Sequence, residues 1–281
     1  MASTFEVQNI SFSYEAIPAI CGLTLHIGEG DRVALLGANG SGKSTLLRIL
    51  DALYFPSAGT VTFKGDALIE KHLQQEEFSL NFRRRVALVF PNPDVQLFNP
   101  TVFDEIAYGP LQMQWSKEDV IRRVNETLEF MSISHLKDRP PYRLSGGEKK
   151  RVALASVLVL DPEVLLLDEP TATLDPKSQS QVVDLIQQWK GTARTVITAT
   201  HQLEIVEDIA DRVFVLEAGT VIAEGTPSEI LSNTDLLLRA NLIHAHRHSH
   251  DGVVHSHPHL HGHSRHEHEH ETRNPQIGDL R

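Results

Sequence analysis

Two hydrophobic periodicities alternate along this chain from near its start to about residue 240. Phe5 to Ser13 alternates loosely between apolar and polar positions, the period of a strand with one buried face. Leu23–Ile27 and Arg32–Leu36 read as two more strands, joined by the turn Gly28-Glu29-Gly30. A helix is predicted from about Lys43 to Leu53, and strands at Thr60–Phe63 and Arg85–Phe90. The stretch from about Asn92 to Leu160 is mostly helical, with Ser116 placed to cap a helix and Asp119 three residues later. Val164–Leu167 is a short all-apolar run, as in a strand covered on both faces. Helix (Lys177–Trp189), strand (Thr195–Ala199), helix (Gln202–Ile209) and strand (Val213–Leu216) follow, then a closing hairpin to Val221–Ala223. Strands alternating with helices predict an α/β fold with a mainly parallel sheet, and the helix-rich middle predicts an inserted subdomain. From His244 onward the periodicity stops.

Composition narrows the function. The chain has 281 residues, 41% apolar and 22% charged, room for one large α/β domain or two small ones around a sizeable core. Its most apolar stretch, Val152–Leu160 with Ser156 inside it, is far short of the about 20 residues a spanning helix needs. The chain is therefore not expected to cross a bilayer alone, and no secretory signal pattern is read at its start. Cys21 is the single cysteine, which rules out an intrachain disulfide and fits a reducing cytosol. A formal net charge of −11 argues against a general nucleic-acid binder, whose affinity comes largely from Lys and Arg on phosphates.

Chemistry concentrates after two predicted strands. Gly37-Ala38-Asn39-Gly40-Ser41-Gly42-Lys43-Ser44-Thr45 fits the P-loop pattern and lies between strand and helix, where a phosphate cradle must lie. Its glycines let successive N–H groups turn inward around phosphate oxygens, and the following helix adds the positive end of its dipole. Lys43 would pair with the β- and γ-phosphates of ATP, Ser44 would ligate Mg²⁺, and Thr45 can add a phosphate hydrogen bond. Asp168 and Glu169 close the strand Val164–Leu167; Asp168 would hold Mg²⁺ through water and Glu169 would polarise the attacking water. Taken alone, two acids after a strand are as often merely solvated.

Between these two sites stands Leu144-Ser145-Gly146-Gly147-Glu148, which resembles the signature motif of ABC ATPases; the following Lys149–Ala155 is also similar to the family. Ser145 and Glu148 equally make an ordinary capping box, and both readings use a helix start with uncovered N–H donors. Tyr14 resembles the family's adenine-stacking aromatic residue, Leu174-Asp175 its D-loop, and His201 its switch histidine on the γ-phosphate. The resemblance covers roughly residues 3–240. It implies a RecA-like P-loop NTPase core with an antiparallel β subdomain and an inserted helical subdomain (about 92–160), then a flexible tail from 241 to 281. It further implies that two ATP-binding subunits, identical or related, sandwich ATP. Ser145, Gly146, Gly147 and Asp175 of one subunit would face the nucleotide of the other. The implied partners are a transmembrane coupling protein and a substrate-binding membrane component, with the chain peripheral on the cytoplasmic face of the cell membrane.

One position departs from the family. Most relatives carry a glutamine after the strand Arg85–Phe90; here Pro91 follows, with neither a side-chain oxygen nor an N–H. Asn92–Phe98 otherwise looks like the energy-coupling-factor branch and is assigned to contact with the membrane partner. Asn92 or Gln96 is expected to compensate in part, with slow hydrolysis in the partner's absence; alternatively Pro91 simply fixes the loop. Beyond the core, His244–His270 holds twelve of the sixteen histidines, among them His255, His257, His259, His261 and His263. Such a segment has too little apolar content to fold alone, while neutral imidazole suits Ni²⁺ or Co²⁺. Incidental metal affinity of a solvated tail and a metal buffer on a metal importer both fit. The main expectation is an ATPase driving import of cobalt or nickel. A vitamin or another metal as cargo, a soluble ABC ATPase on DNA or ribosomes, and a metal-storage protein with a vestigial motor are the alternatives.

Overall fold

A computed structural model describes the backbone of residues 3–172, 174–250 and 253–259. The chain begins with two long antiparallel strands, β1 (Ser3–Tyr14) and β2 (Ile17–Gly28), followed by β3 (Arg32–Leu36) and helix α1 (Lys43–Leu50). Strands β4 (Ala58–Phe63) and β5 (Asp66–Ala67) complete an antiparallel sheet in the order β2-β1-β4-β5. Helices α2 (Glu70–Leu73) and α3 (Glu76–Arg85) lead into β6 (Val86–Val89). The helical middle is α4 (Val102–Gln112), α5 (Lys117–Phe130) and α6 (Gly146–Leu158). Then come β7 (Val164–Asp168), α7 (Pro176–Gln187), β8 (Thr195–Thr200), α8 (Val206–Ile209), β9 (Arg212–Glu217), β10 (Thr220–Gly225), α9 (Pro227–Ser232) and α10 (Thr234–Arg239). The main sheet has the order β10-β9-β3-β8-β7-β6, parallel except for the hairpin strand β10.

The central strands are as apolar as their sequences require. Every residue of β3, β6, β7 and β8 is buried, which is possible because both faces of the sheet are covered. One face packs on α1 and the antiparallel sheet, through Phe5, Val7, Ile10, Leu46, Leu47, Leu166 and Ile197. The other packs on α6 and α7, through Leu36, Leu165, Leu167, Leu154 and Leu185. A third cluster lies within the helical middle, where Val102 and Ile106 meet Val120, Val124 and Leu128.

Helix α6 belongs to two of these clusters. Ala153, Leu154 and Leu158 face the sheet, while Val152, Ala155 and Val159 face α4 and α5. Burying each Leu or Val contributes roughly 1.5–3 kcal/mol, so α6 is held from both sides and acts as the hinge-pin of the helical subdomain.

The segment 64–85, for which the sequence reading proposed nothing before the strand at Arg85, contains α2 and α3. Helix α3 is mostly polar and buries only Phe82, so its periodicity is faint. Arg85 ends α3 instead of starting β6, and Gln202–Ile209 divides into a 3-10 turn (Leu203–Ile205) and α8. In the tail, β11 (His244–His250) and β12 (Val253–His259) pair with each other as a separate two-stranded sheet. An isolated hairpin of this kind is marginal in water, consistent with the low apolar content. The flexibility expected of residues 251–252 and 260–281 lies outside the described residues.

Candidate active site

Strands β3, β8 and β7 are neighbours and run parallel, so the loops at their carboxyl ends meet at one edge, where open α/β sheets bind ligands. The loop after β3 is 37–42. Gly42 has φ 104°, a left-handed conformation costly for any side chain, and a Cβ there would sit 2.7 Å from the Ala19 carbonyl. Helix α1 starts from it without a side-chain cap, leaving its first N–H groups open to an anion. The Ser41 hydroxyl is buried without a hydrogen-bond partner. Lys43, buried at the first turn, donates to the carbonyls of Gly37 (2.7 Å) and Ala38 (3.1 Å). Burial lowers its pKa, and the charges of Glu169 and Asp168 work against that lowering.

The loop after β7 brings the acids. Ser44 Oγ donates to Asp168 Oδ1 at 2.9 Å, so hydroxyl and carboxylate already sit together as oxygen donors for one hard cation. Burial raises the Asp168 pKa, with the Ser44 hydrogen bond opposing it. Glu169 adopts φ 47°, an unfavourable backbone conformation of the kind that collects at reactive sites. From β8, His201 Nδ1 lies 2.8 Å from Glu169 Oε1, and Thr200 Oγ1 lies 3.4 Å from Oε2. A carboxylate oxygen accepts, so Nδ1–H donates to it. Asn39 and His201 line an open pocket of about 510 Å³ with Ala38, Gln202, Asn241 and Leu242. These orphaned donors and paired oxygens fit a magnesium–triphosphate.

Tyr14, at the end of β1, reaches the same edge. Its hydroxyl is 3.2 Å from Thr45 Oγ1, and its ring is wedged edge-on between Phe12 (5.1 Å) and Tyr54 (5.7 Å). The ring is part-exposed and held rigid, as a stacking platform needs to be.

The start of α6 is a different kind of place. Ser145 and Glu148 form a complete capping box, with Ser145 N donating to Glu148 Oε2 at 2.7 Å. A Cβ on Gly146 would meet nothing within 4 Å, whereas one on Gly147 would meet Ser178 Oγ at 2.7 Å. Asp175 caps α7, accepting from the N–H groups of Lys177 and Ser178 at 3.1 Å and from the Ser178 hydroxyl at 2.6 Å. None of these residues makes a hydrogen bond to the loop 37–45 of its own chain among the described residues.

Of the two amides expected to compensate for Pro91, Gln96 is engaged through both of its ends and Asn92 through its oxygen alone. Gln96 donates to the Ala153 carbonyl (2.8 Å) and Ser156 Oγ (3.1 Å), and accepts from Phe90 N (3.2 Å). Asn92 Oδ1 caps a short turn through Asp94 N at 2.9 Å. Gln96 is thus committed to building the loop, while Asn92 contributes its oxygen to it and its Nδ2 makes no hydrogen bond among the described residues. Lys150, overlooked in the sequence, is the polar side chain at that edge. Its spacing to Ala153 and Leu154 puts it on the buried stripe of α6, a signal that was available. Among the tail residues, the ladder sets His244 opposite His259, His246 opposite His257 and His248 opposite His255; His261 and His263 lie outside the described residues.

Comparison with known proteins gives a consistent result. A family model described as "ABC transporter" matches residues 20–172. The nickel import ATP-binding protein NikO of Rhodobacter capsulatus is 53% identical over 246 residues, covering 86% of this chain and 97% of that protein. The energy-coupling factor transporter ATP-binding protein EcfA of Methanothermobacter thermautotrophicus is 41% identical over 84% of this chain and 75% of its own length. Among solved structures, cbiO1 of Clostridium perfringens, described as part of the ABC transporter complex cbiONQ, superposes with a TM-score of 0.73. It shares 35% identity, covering 86% of this chain and 96% of that one.

Proposed function

The chain belongs to the ABC transporter family as an ATP-binding subunit, and from that premise we propose the roles of its site residues, its cargo and its partners. It is an ATPase subunit of an importer in the energy-coupling-factor branch. The observation that carries the chemistry is the meeting of three strand ends on one anion cradle, with Ser44–Asp168 at 2.9 Å and Glu169–His201 at 2.8 Å.

The amides of 37–45 and Lys43 hold the phosphates, and Gly37, Gly40 and Gly42 let the backbone close around them. Ser44 and Asp168 hold Mg²⁺, which supplies positive charge against the triphosphate. Glu169 accepts the proton of the attacking water as the γ-phosphorus–oxygen bond to ADP breaks. His201 fixes the Glu169 carboxylate through Nδ1, and its Nε2 is the ring nitrogen left for the γ-phosphate. Tyr14 stacks on the base. Ser145, Gly146 and Gly147 of a second subunit complete the site, with Asp175 holding the α7 start beside them.

Membrane components are the working partners, and the cytoplasmic face is the proposed location. No helix among the described residues is long and apolar enough to cross a membrane. The docking segment is Asn92–Phe98, where Val95 and Phe98 stand about two-thirds exposed beside exposed Tyr108 and Leu111. Nickel or cobalt is the proposed cargo. The similarity to a nickel import subunit supports it, as does the histidine-rich sequence His244–His270, whose neutral imidazoles suit Ni²⁺ or Co²⁺. The tail leaves from Ile243, next to Asn241 and Leu242 on the rim of the pocket that holds His201. The test is ATP-driven uptake into vesicles carrying the complex. Accumulation of radiolabelled Ni²⁺ or Co²⁺, lost in Lys43→Ala, is expected; accumulation of a vitamin instead would overturn the cargo.

A further inference from the structure

We propose that Lys150 is a positioning residue for hydrolysis. From α6 it clamps the Phe90–Pro91 turn beside Asp168 and Glu169, and so takes the place of the polar side chain that Pro91 lacks. The inference rests on the ATPase reading above.

The parallel register Val86↔Val164 through Val89↔Leu167 carries the two strands forward abreast, so Phe90 and Pro91 come level with Asp168 and Glu169. Into that corner α6 sends Lys150, which is only 2% exposed. Its Nζ donates to the Phe90 carbonyl at 2.9 Å and the Pro91 carbonyl at 3.2 Å. An ammonium has three N–H groups, so one remains uncommitted among the described residues. A buried ammonium is expensive unless opposite charge and acceptors surround it. Burial pulls the Lys150 pKa down to about 8, while the Asp168 and Glu169 carboxylates pull it back up. The two acids of the site thus oppose the loss of charge that burial favours.

The neighbouring polar side chains are committed elsewhere in whole or in part. The Gln96 amide ties the loop to Ala153 and Ser156, and the Asn92 oxygen caps Asp94. The neighbouring Lys149 points elsewhere, to Asp94 Oδ1 at 2.6 Å. Lys150 thus gives α6 two attachments to the chemistry. The helix start at Ser145–Gly147 faces a second subunit's nucleotide; at a rise of about 1.5 Å per residue, Lys150 lies roughly 7 Å further along the same rigid rod. A phosphate pressing on the helix start is passed to the turn beside Glu169 by Lys150, alongside the Gln96 tie between Phe90 and α6.

The experiment uses the complete complex with its membrane components. Lys150→Met keeps the packing and removes the donor and charge; Lys150→Arg keeps both. Lys150→Met should lower kcat for ATP by about 10- to 100-fold, the scale seen for supporting residues around a metal site. KM for ATP should stay within about threefold, since the phosphate cradle is untouched. Lys150→Arg should regain most of the lost turnover, and Pro91→Gln added to Lys150→Met should regain part of it. If Lys150→Met does not fold, Lys150→Leu, which likewise can neither donate nor carry charge, replaces it with the same expectations. Native turnover in the uncharged variant would overturn the proposal. So would a loss that neither Lys150→Arg nor Pro91→Gln recovers, because that marks a mere structural pin. A native complex without ATPase activity would instead sink the reading beneath it.

Discussion

The loop 37–45 and the start of α6 both offer uncovered backbone N–H groups to an anion, yet they are built very differently. At the first, a buried lysine, two carboxylates, a histidine and an aromatic ring converge on the same few ångströms. At the second, the capping box closes on itself, Gly146 faces open space, and Gly147 lies against Ser178 and Asp175 at the start of α7. One half carries all the chemistry and the other carries only a shape. A glycine kept bare beside a self-satisfied cap makes sense as a surface presented to another subunit's ligand. The difference fits the proposal that this chain holds two halves of two separate sites.

The most severe way to break that contrast is to disarm the first half. Glu169→Gln should cut turnover by about 10²–10⁴-fold, the usual contribution of a general base, while ATP is still retained in a binding assay. Similar turnover in the variant would remove Glu169 from the mechanism. The second half is tested by Gly146→Asp, which adds a carboxylate where the chain itself has room. Turnover should fall about 10²–10³-fold, as when an electrostatic contact to the reacting group is lost, with ATP binding to the isolated subunit unchanged. A loss of binding in the isolated subunit would show that the two halves meet within one chain.

Smaller effects sharpen the picture. Tyr14→Ala should weaken ATP binding by about tenfold, the value of one well-placed aromatic contact, read by titration with a fluorescent nucleotide. An unchanged affinity would remove Tyr14 from the site. The far end of α1 serves as a control remote from both halves. There Asp51 is buried against Arg83 at 3.3 Å, and burial pushes its pKa up to about 7, opposed by the Arg83 charge. A carboxyl whose folded pKa is raised stabilises fully below its unfolded value, and that stabilisation is lost as pH rises through the folded one. Stability should therefore fall between about pH 4 and pH 7, and Asp51→Asn should flatten that slope of Tm against pH without touching turnover. A slope as steep in Asp51→Asn would assign the titration to other groups.

Much of this was legible in the sequence, for physical reasons that differ by region. Strands β3, β7 and β8 are buried on both faces, so their apolar runs could be read directly, and the glycines of 37–42 are demanded by backbone geometry. Ser116 was recognisable as a cap, and its Oγ accepts from Asp119 N at 3.1 Å. The first half of β2 was missed because Ile17 and Pro18 are exposed and its pairing with β1 is broken by register shifts. Helix α3 was missed because it is mostly polar and fully buries only Phe82, with Phe78 packed in part. The fate of Gln96 could not be read, since an amide near a gap in a motif carries no sign of which neighbour it will bond. Lys150 was hidden by its neighbour: two adjacent lysines look solvated, and only the turn of the helix sends one outward to Asp94 and the other inward to Phe90 and Pro91.

The claim that each site is shared between subunits is tested most directly by mixing. Two differently tagged copies, one Lys43→Ala and the other Gly146→Asp, are expressed together with the membrane components, and ATP turnover is compared with each variant alone. Each alone should be inactive. In the mixed dimer one site combines an intact loop 37–45 with an intact α6 start, so the mixture should recover about a quarter of native turnover by counting sites in a two-fold assembly. No recovery, with both tags present in the same dimers, would contradict the account.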